Sequence, residues 1–184
     1  MSLHLIIGCM MSGKTSKLIE LSNKYRCNHK ILGINHILNK RYNTDKIITH
    51  DKKNGDFDFE IKLDKLDDLI INEYFSYYQQ CKIIVIDELQ FFENSYQFIY
   101  NAVEIDNKIV IASGLNGDSN KKLFGDVSKL TTIADDIIFL TANCKCGKKA
   151  IFSKRITKVT YQILVGDSND YIPVCRSCFK IPEK

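Results

Sequence analysis

Eight consecutive residues, Gly8-Cys9-Met10-Met11-Ser12-Gly13-Lys14-Thr15, constrain this chain more than any other feature. An apolar stretch, residues 3–7, precedes them, and Leu18, Leu21 and Tyr25 follow at helical spacing. A G-x-x-x-x-G-K-T sequence between a strand and a helix predicts a phosphate-binding loop. Its two glycines let the backbone curl round an anion with no Cβ in the way. The loop N–H groups and the helix N-terminus then face negative charge. Lys14 supplies a point charge to the outer phosphates of a nucleotide such as ATP, and the Thr15 hydroxyl is placed for Mg²⁺. Gly8, Cys9, Met10, Met11, Ser12, Gly13, Lys14 and Thr15 are therefore candidate nucleotide contacts. The motif alone does not separate a kinase from a GTPase or an ATPase.

Further short Ile/Val-rich runs occur at 31–34, 83–86, 109–112 and 136–140. They do not alternate with polar residues, which predicts strands covered on both faces, as in a parallel sheet. Between them lie helical patterns. Leu66, Leu69, Ile70, Tyr74 and Tyr77 share a face behind Asp64, a candidate N-cap. Phe98, Ile99, Ala102 and Val103 follow Ser95, a second one. Strands alternating with helices predict an α/β fold with a parallel sheet. The polar stretch 41–58 reads as a long loop or hairpin.

The run at 83–86 ends in Asp87-Glu88. A strand-end Asp in a phosphate-loop protein holds the Mg²⁺ water shell. Asp87 is the candidate for that, and Glu88 the candidate to accept a proton from an attacking hydroxyl. Two carboxylates alone do not distinguish transfer to water from transfer to an alcohol. Gln90-Phe91-Phe92 then offers a flat amide and two rings. They suit a planar base, and the rings equally suit a core.

The sequence has 184 residues and carries 26 Lys+Arg against 22 Asp+Glu, a net charge of +4. That is too mild to imply nucleic-acid binding. Hydrophobic residues at 45% and aromatics at 10% exclude a disordered chain. No apolar run reaches bilayer length, and the first fifteen residues lack the basic n-region of a signal peptide. A cytoplasmic or equally reducing compartment is expected, with no membrane partner. Of seven cysteines, Cys9, Cys27 and Cys81 read as free thiols acting as small hydrophobes. Cys144, Cys146, Cys175 and Cys178 form two close pairs, which point to metal before disulfide in such a compartment. Four thiolates would fill a tetrahedral Zn²⁺ site with no open position, a structural one. Reduced thiols, or a disulfide formed on oxidation, remain alternatives, because Cys144-Lys-Cys146 is C-x-C rather than C-x-x-C. The chain divides into an α/β nucleotide-binding part, 1–141, and a Cys-bounded part, 142–184.

Taken together, these segments resemble the type II thymidine kinases, the cellular cytosolic and large-DNA-virus type. The resemblance runs through Gly8 to Thr15, Asp87-Glu88-Leu89-Gln90-Phe91-Phe92, Leu115-Asn116-Gly117 and Lys121-Lys122-Leu123-Phe124-Gly125. It ends with paired cysteines around Ser153-Lys154-Arg155 and covers nearly the whole chain in order. It implies a RecA-like α/β domain plus a small zinc-bearing lasso domain covering the nucleoside. The implied reaction is transfer of the ATP γ-phosphoryl group to the 5′-hydroxyl of thymidine. By the same resemblance Glu88 is the general base, Lys14 a catalytic phosphate ligand, and Arg41 lies close to the transferring group. On its own residues, Arg41 reads as a solvated loop charge. Gln90 accompanies the nucleotide-side residues. Met10, Glu88, Phe91, Leu115, Phe124, Ser153, Leu164, Gly166 and Tyr171 form the implied nucleoside pocket. Thr49-His50-Asp51 also matches the family, with no role given to it. A homotetramer and inhibition by thymidine triphosphate (dTTP) are implied as well.

Four positions depart from the family. Asn39 and Asn116 stand where Asp is usual, Leu89 where Gly is usual, and Ser119 where cellular members often carry Phe. These bear on substrate affinity and breadth rather than on the reaction. A competing reading is a phosphate-loop ATPase whose zinc ribbon binds nucleic acid or a partner. Lys145, Lys148, Lys149, Lys154 and Arg155 keep it open, although no stacking aromatics alternate with them. A GTPase is weaker still, since no Asn-Lys-x-Asp sequence occurs.

Overall fold

Residues 3–7 extend at both ends to form β1 (Ser2–Gly8), and the helix after the phosphate loop is α1 (Lys14–Asn23). The structure, a computed structural model, describes residues 1–39, 46–49, 54–71, 73–158, 161–166 and 168–180. Then follow β2 (Ile31–His36), β3 (Phe59–Leu63), α2 (Asp68–Ile71), α3 (Phe75–Gln80) and β4 (Ile83–Ile86). A 3₁₀ turn at Leu89–Phe91 leads to α4 (Ser95–Tyr100), which runs into a π-helical turn at Asn101–Ile105. β5 (Ile109–Leu115), α5 (Val127–Leu130) and β6 (Asp136–Leu140) complete the α/β part.

These strands make one six-stranded sheet in the order β3-β2-β4-β5-β1-β6. Every pairing is parallel. Side chains alternate across it. Ile84 and Ile86 face a core with Leu3, Leu5, Leu32, Ile34, Leu69, Phe98 and Val110. Ile83 and Val85 face the other core, with Leu18, Leu21, Ile31 and Ile111. Both faces of the central strands are thus buried, as their unbroken apolar runs require.

Several sequence expectations are corrected. β3, Phe-Glu-Ile-Lys-Leu, is a sixth strand with no unbroken apolar run. It is an edge strand, half-buried at Glu60 and Lys62, so polar residues interrupt it. β6 is the opposite edge and is not covered on both faces: Ile137 and Phe139 are 46% and 50% exposed. Asp64 caps no helix. The single helix expected over 64–77 is two short ones, and Asp64 lies 3.9 Å from His36 Nε2. Ser95 is the first residue of α4 and not its cap; Asn94, at φ 55°, occupies that place, and Ser95 Oγ is buried without a hydrogen-bond partner among the described residues. Cys9 and Cys81 are buried, but Cys27 is exposed and fills no core. In the polar stretch 41–58, Ile48 and Asn54 form an isolated antiparallel bridge, as a hairpin would.

The remainder is small and antiparallel. β7 (Ala142–Asn143) pairs with β8 (Lys149–Ala150), and β9 (Phe152–Arg155) with β10 (Tyr171–Val174); α6 (Arg176–Phe179) follows Cys175. Its core joins Cys144, Ala150, Val174 and Cys175 to Cys9 of the phosphate loop.

Lys108 shows how the α/β part is tied off. Its buried ammonium donates to Tyr78 O at 2.7 Å and Cys81 O at 2.8 Å, satisfying carbonyls at the end of α3. Lys108→Met keeps the stem and strands both acceptors. It is expected to lower the unfolding free energy by about 1–3 kcal/mol, measured by urea denaturation.

Candidate active site

The loop after β1 is shaped by two glycines with different reasons. At Gly8 a Cβ would collide with Leu140 O and meet Ser12 Oγ at 2.7 Å, so close approach of β6 demands glycine. Gly13 has open space around it but sits at φ 84°, where side chains are strained. Lys14 Nζ donates to Cys9 O at 2.9 Å across the loop. Ser12 Oγ is buried with no hydrogen-bond partner among the described residues. An unpaired hydroxyl inside a nest of N–H groups fits an anion with oxygen atoms to share.

Three strands deliver polar groups to the same edge of the sheet. Thr15 Oγ1 donates to Asp87 Oδ2 at 2.9 Å, and Ser113 Oγ on β5 donates to Asp87 Oδ1. Burial and the neighbouring Glu88 charge push the Asp87 carboxyl up, while these two hydroxyls pull it back. A cation at this edge would favour the charged form. Thr15 and Asp87 offer the hard oxygen donors that Mg²⁺ takes alongside its waters.

Glu88 departs from Asp87 at once. Its φ of 54° is left-handed, a conformation costing about 1–2 kcal/mol for a residue with a Cβ. The turn sends consecutive carboxylates in different directions: Asp87 to Thr15, Glu88 into a cavity of about 700 Å³. Gln90 fixes both sides of this turn, donating to Glu88 Oε2 at 2.7 Å and accepting from Leu115 N at 3.0 Å.

The cavity gathers residues from across the chain. Met10, Met11, Gly13, Lys14 and Thr15 line it from the loop. Glu88, Gln90, Phe91, Leu115 and Phe124 line it from the strand ends, and Ser153, Leu164, Gly166 and Tyr171 from the C-terminal part. Phe91 meets Phe124 edge-on, with ring centres 5.7 Å apart. The two rings of the Phe91-Phe92 pair therefore divide: Phe91 lines the cavity and Phe92 is wholly buried. Gly8, Cys9, Ser12 and Asp87 shape or support the site without lining the cavity. Cys9 Sγ points instead toward Ala150 O, at 3.4 Å. Arg41, His50 and Asp51 lie outside the described residues; Thr49 is buried.

Two further contacts stitch the C-terminal part to the loop side. Met10 N donates to Ser153 Oγ at 2.9 Å, and Asn116 Nδ2 to Ile151 O at 3.2 Å. The four cysteine sulfurs lie within 4.8 Å of one another, and Cys146 Sγ is 3.5 Å from Cys144 Sγ and 3.6 Å from Cys175 Sγ. A tetrahedral Zn²⁺ with bonds of about 2.3 Å needs sulfurs about 3.8 Å apart, so the set fits. The short C-x-C spacing is absorbed by a turn: Gly147, at φ 82°, donates to Cys144 O, and Cys144 N donates to Lys148 O. Main-chain hydrogen bonds from Cys146 and Cys175 hold the Cys144 thiol down, to about 6, while the crowded sulfurs of Cys146, Cys144 and Cys175 push Cys178 up, to about 12.

Sequence reasoning missed Ser113, Asp118 and Gln162. Ser113 was visible as a lone hydroxyl in an apolar run. Asp118 and Gln162, both lining the cavity, gave no local signal.

The family profile described as thymidine kinase matches residues 1–179. The chain belongs to the thymidine kinase family. It is 37% identical to the thymidine kinase of Fowlpox virus over 97% of this chain and 96% of that one. It is 34% identical to the thymidine kinase of Oryza sativa subsp. japonica over 95% of this chain and 64% of that one. Among solved structures, "Replication initiator DnaA bound to AMPPCP and single-stranded DNA" is 15% identical, with a TM-score of 0.45. That overlap covers 77% of this chain and 41% of the other, too partial to bear on the site.

Within the thymidine kinase family, the departures acquire physical content. Asn116 uses its amide to donate to Ile151 O, which an ionised Asp cannot do. Asn39 Nδ2 donates to Asn35 Oδ1 at 3.2 Å and lines the cavity. Leu89 is wholly buried at the start of the 3₁₀ turn, and Ser119 lines the cavity.

Behind Phe91, His36 is buried and packs on both Phe91 and Phe92. Its Nδ1 lies 3.0 Å from Leu38 N, which donates to it, so that nitrogen carries no proton. Burial holds the ring below its ordinary 6.5 against the charges of Asp64 and Glu88. As pH falls through about 6.5, the unfolded chain takes up a proton that the native ring refuses, so native stability declines. His36→Phe is expected to lessen the fall in urea midpoint between about pH 7 and about pH 5.5. An unchanged slope would show that other groups set it.

Proposed function

We propose that this kinase transfers the γ-phosphoryl group of ATP to the 5′-hydroxyl of thymidine, giving thymidine monophosphate for nucleotide salvage. The observation that carries this reading is that Lys14 and Glu88 open into the same cavity as Phe91, Phe124 and Tyr171. A phosphate cradle, a proton acceptor and an aromatic-lined slot then serve one bound pair. Phosphoryl transfer needs positioning and charge stabilisation more than covalent help. The loop N–H groups and Lys14 bind the phosphates. Glu88, held by Gln90, accepts the proton of the sugar hydroxyl. Thr15 and Asp87 would hold Mg²⁺, which supplies neutralisation of developing charge on the phosphates. Arg41 keeps the role beside the transferring group that the family resemblance gives it.

The thymine base fits between Phe91, Phe124 and Met10, with Leu115 and the main chain around Ser153, Leu164 and Gly166 at its edges. We place a boundary near residue 141 between the nucleotide-binding part and a lasso that covers the nucleoside. Cys144, Cys146, Cys175 and Cys178 would hold a structural Zn²⁺ at the base of that lasso. A four-thiolate site suits a reducing compartment, in keeping with the cytoplasm; among the described residues no helix is long and apolar enough to cross a membrane. A homotetramer rests on the resemblance, and Ile137 and Phe139, exposed on the edge strand β6, offer an apolar surface for contact between copies. Control by dTTP rests on the resemblance alone.

The direct test is ADP release that depends on thymidine. ATP turnover that ignores thymidine and requires DNA would instead favour the ribbon-bearing ATPase. Glu88→Gln is expected to slow transfer at least about 10²-fold with ATP affinity nearly intact. Near-normal turnover would remove Glu88 from that role. Chelation is expected to lower thymidine affinity at least about tenfold while ATP still binds, measured by calorimetry. Parallel loss of both affinities would argue against a separately held cover.

A further inference from the structure

Beyond the residues that the family resemblance assigns, one polar contact joins the two walls of the cavity. Asp118 is 6% exposed and sits in the loop after β5. Its Oδ1 accepts from Asn120 N and Lys122 N, both at 2.8 Å, which folds the loop onto the carboxylate. Its Oδ2 faces across the cavity rim and accepts from Gln162 Nε2 at 2.8 Å. The same amide nitrogen donates to Leu123 O at 3.0 Å. Both of its N–H groups therefore end on the loop that carries Phe124.

Gln162 is itself held from behind. Arg155 donates from Nη2 to Gln162 O at 2.9 Å and from Nη1 to Tyr161 O at 2.6 Å. It also bonds the Tyr171 hydroxyl, which donates to Leu164 O at 2.9 Å. Apolar packing contributes little to this segment. Tyr161, Ile163 and Val165 are 66%, 45% and 41% exposed. Leu164 and Val165 border the cavity, and little of this segment's apolar surface packs against protein, so polar contacts hold it in place.

We infer that Gln162 is a positioning residue: its amide latches residues 161–166 onto Asp118 and Leu123, closing the cover over the nucleoside, with Arg155 fixing the backbone from which it reaches. This deepens the thymidine reading and rests on it. An amide suits the role because it presents two donors to two fixed acceptors, and a carboxylate there would face a carboxylate.

The chemistry permits a swap. In Asp118→Asn, Oδ1 keeps both main-chain partners, but the new amide meets the Gln162 amide donor to donor. In Gln162→Glu, two carboxylates oppose each other. Each single variant is expected to raise the KM for thymidine at least about tenfold. The kcat should stay within about threefold, and ATP affinity should not change. The double variant, Asp118→Asn with Gln162→Glu, restores an amide-to-carboxylate bond in reverse but not the donor to Leu123 O, so its KM is expected to return part of the way, to below that of either single variant. Without nucleoside, the single variants should also be cut faster by trypsin after Arg155 or Lys158.

Singles that leave the KM unmoved, or a double variant whose loss is the sum of the two, would overturn the latch. Should Gln162→Glu fold poorly, Gln162→Leu removes the donor at similar size and must give the same KM rise. A failure of the underlying reading is separable, because then the unaltered protein phosphorylates no thymidine at all.

Discussion

A carboxylate buried at the end of three parallel strands is the constraint on which this site depends. Asp87 has almost no contact with solvent, and an ionised group so placed is costly unless hydrogen bonds replace its water. Thr15, at the start of α1, and Ser113, on β5, supply them. Strand order makes that possible: β5 lies between β1 and β4, so a hydroxyl from the middle strand reaches the acid at the end of its neighbour. The same arrangement puts the phosphate loop, at the end of β1, within reach of one Asp87 oxygen. Removing any one of the three strand ends would leave either the acid or the loop without its partner.

Adjacent acids must then do different work. In an extended strand, neighbouring side chains already diverge, but both would remain on the sheet's edge. The left-handed turn at Glu88 does more, swinging the second carboxylate over the end of β5, where Gln90 links it to Leu115. Strain of this kind persists where surrounding contacts over-determine it. Leu89, wholly buried directly after the turn, and the 3₁₀ hydrogen bond from Phe91 N to Glu88 O supply that restraint.

Much of this was legible in order along the chain, because the signals are local. The phosphate loop, the five uninterrupted strands, the Asp87-Glu88 pair and the four clustered cysteines each show within a few residues. What escaped depends on contacts between distant segments. β3 escaped because an edge strand alternates. The break between α2 and α3 escaped because Leu66 to Tyr77 keep helical spacing across it. Cys27 is a free thiol but an exposed one, because neighbouring helical residues do not tell which face a turn presents. Asp118 and Gln162 stand 44 residues apart, and neither has a flank that marks it. Arg155 stood in view as one more basic residue; only the fold aligns its guanidinium with the carbonyls of Tyr161 and Gln162.

The uneven cohesion of the C-terminal part follows from what a cover must do. Its base is firm: β9 pairs with β10, the cysteines converge, and Cys9, Met10 and Asn116 contact Ala150, Ser153 and Ile151. Its middle is held by hydrogen bonds whose partners water can replace, each contributing about 0.5–1.5 kcal/mol net, more where a charge is involved. A cover packed by buried Ile, Val and Tyr would cost about 1.5–3 kcal/mol per side chain to lift, a large term for a wall that, in the proposed reading, opens to admit the nucleoside. Exposed Tyr161, Ile163 and Val165 keep that term small, so the proposed closing depends on a few directional contacts and on the nucleoside itself. On the proposed reading, specificity is set where the cover meets the Phe124 loop, because a base that holds the two walls apart forfeits the contacts between them.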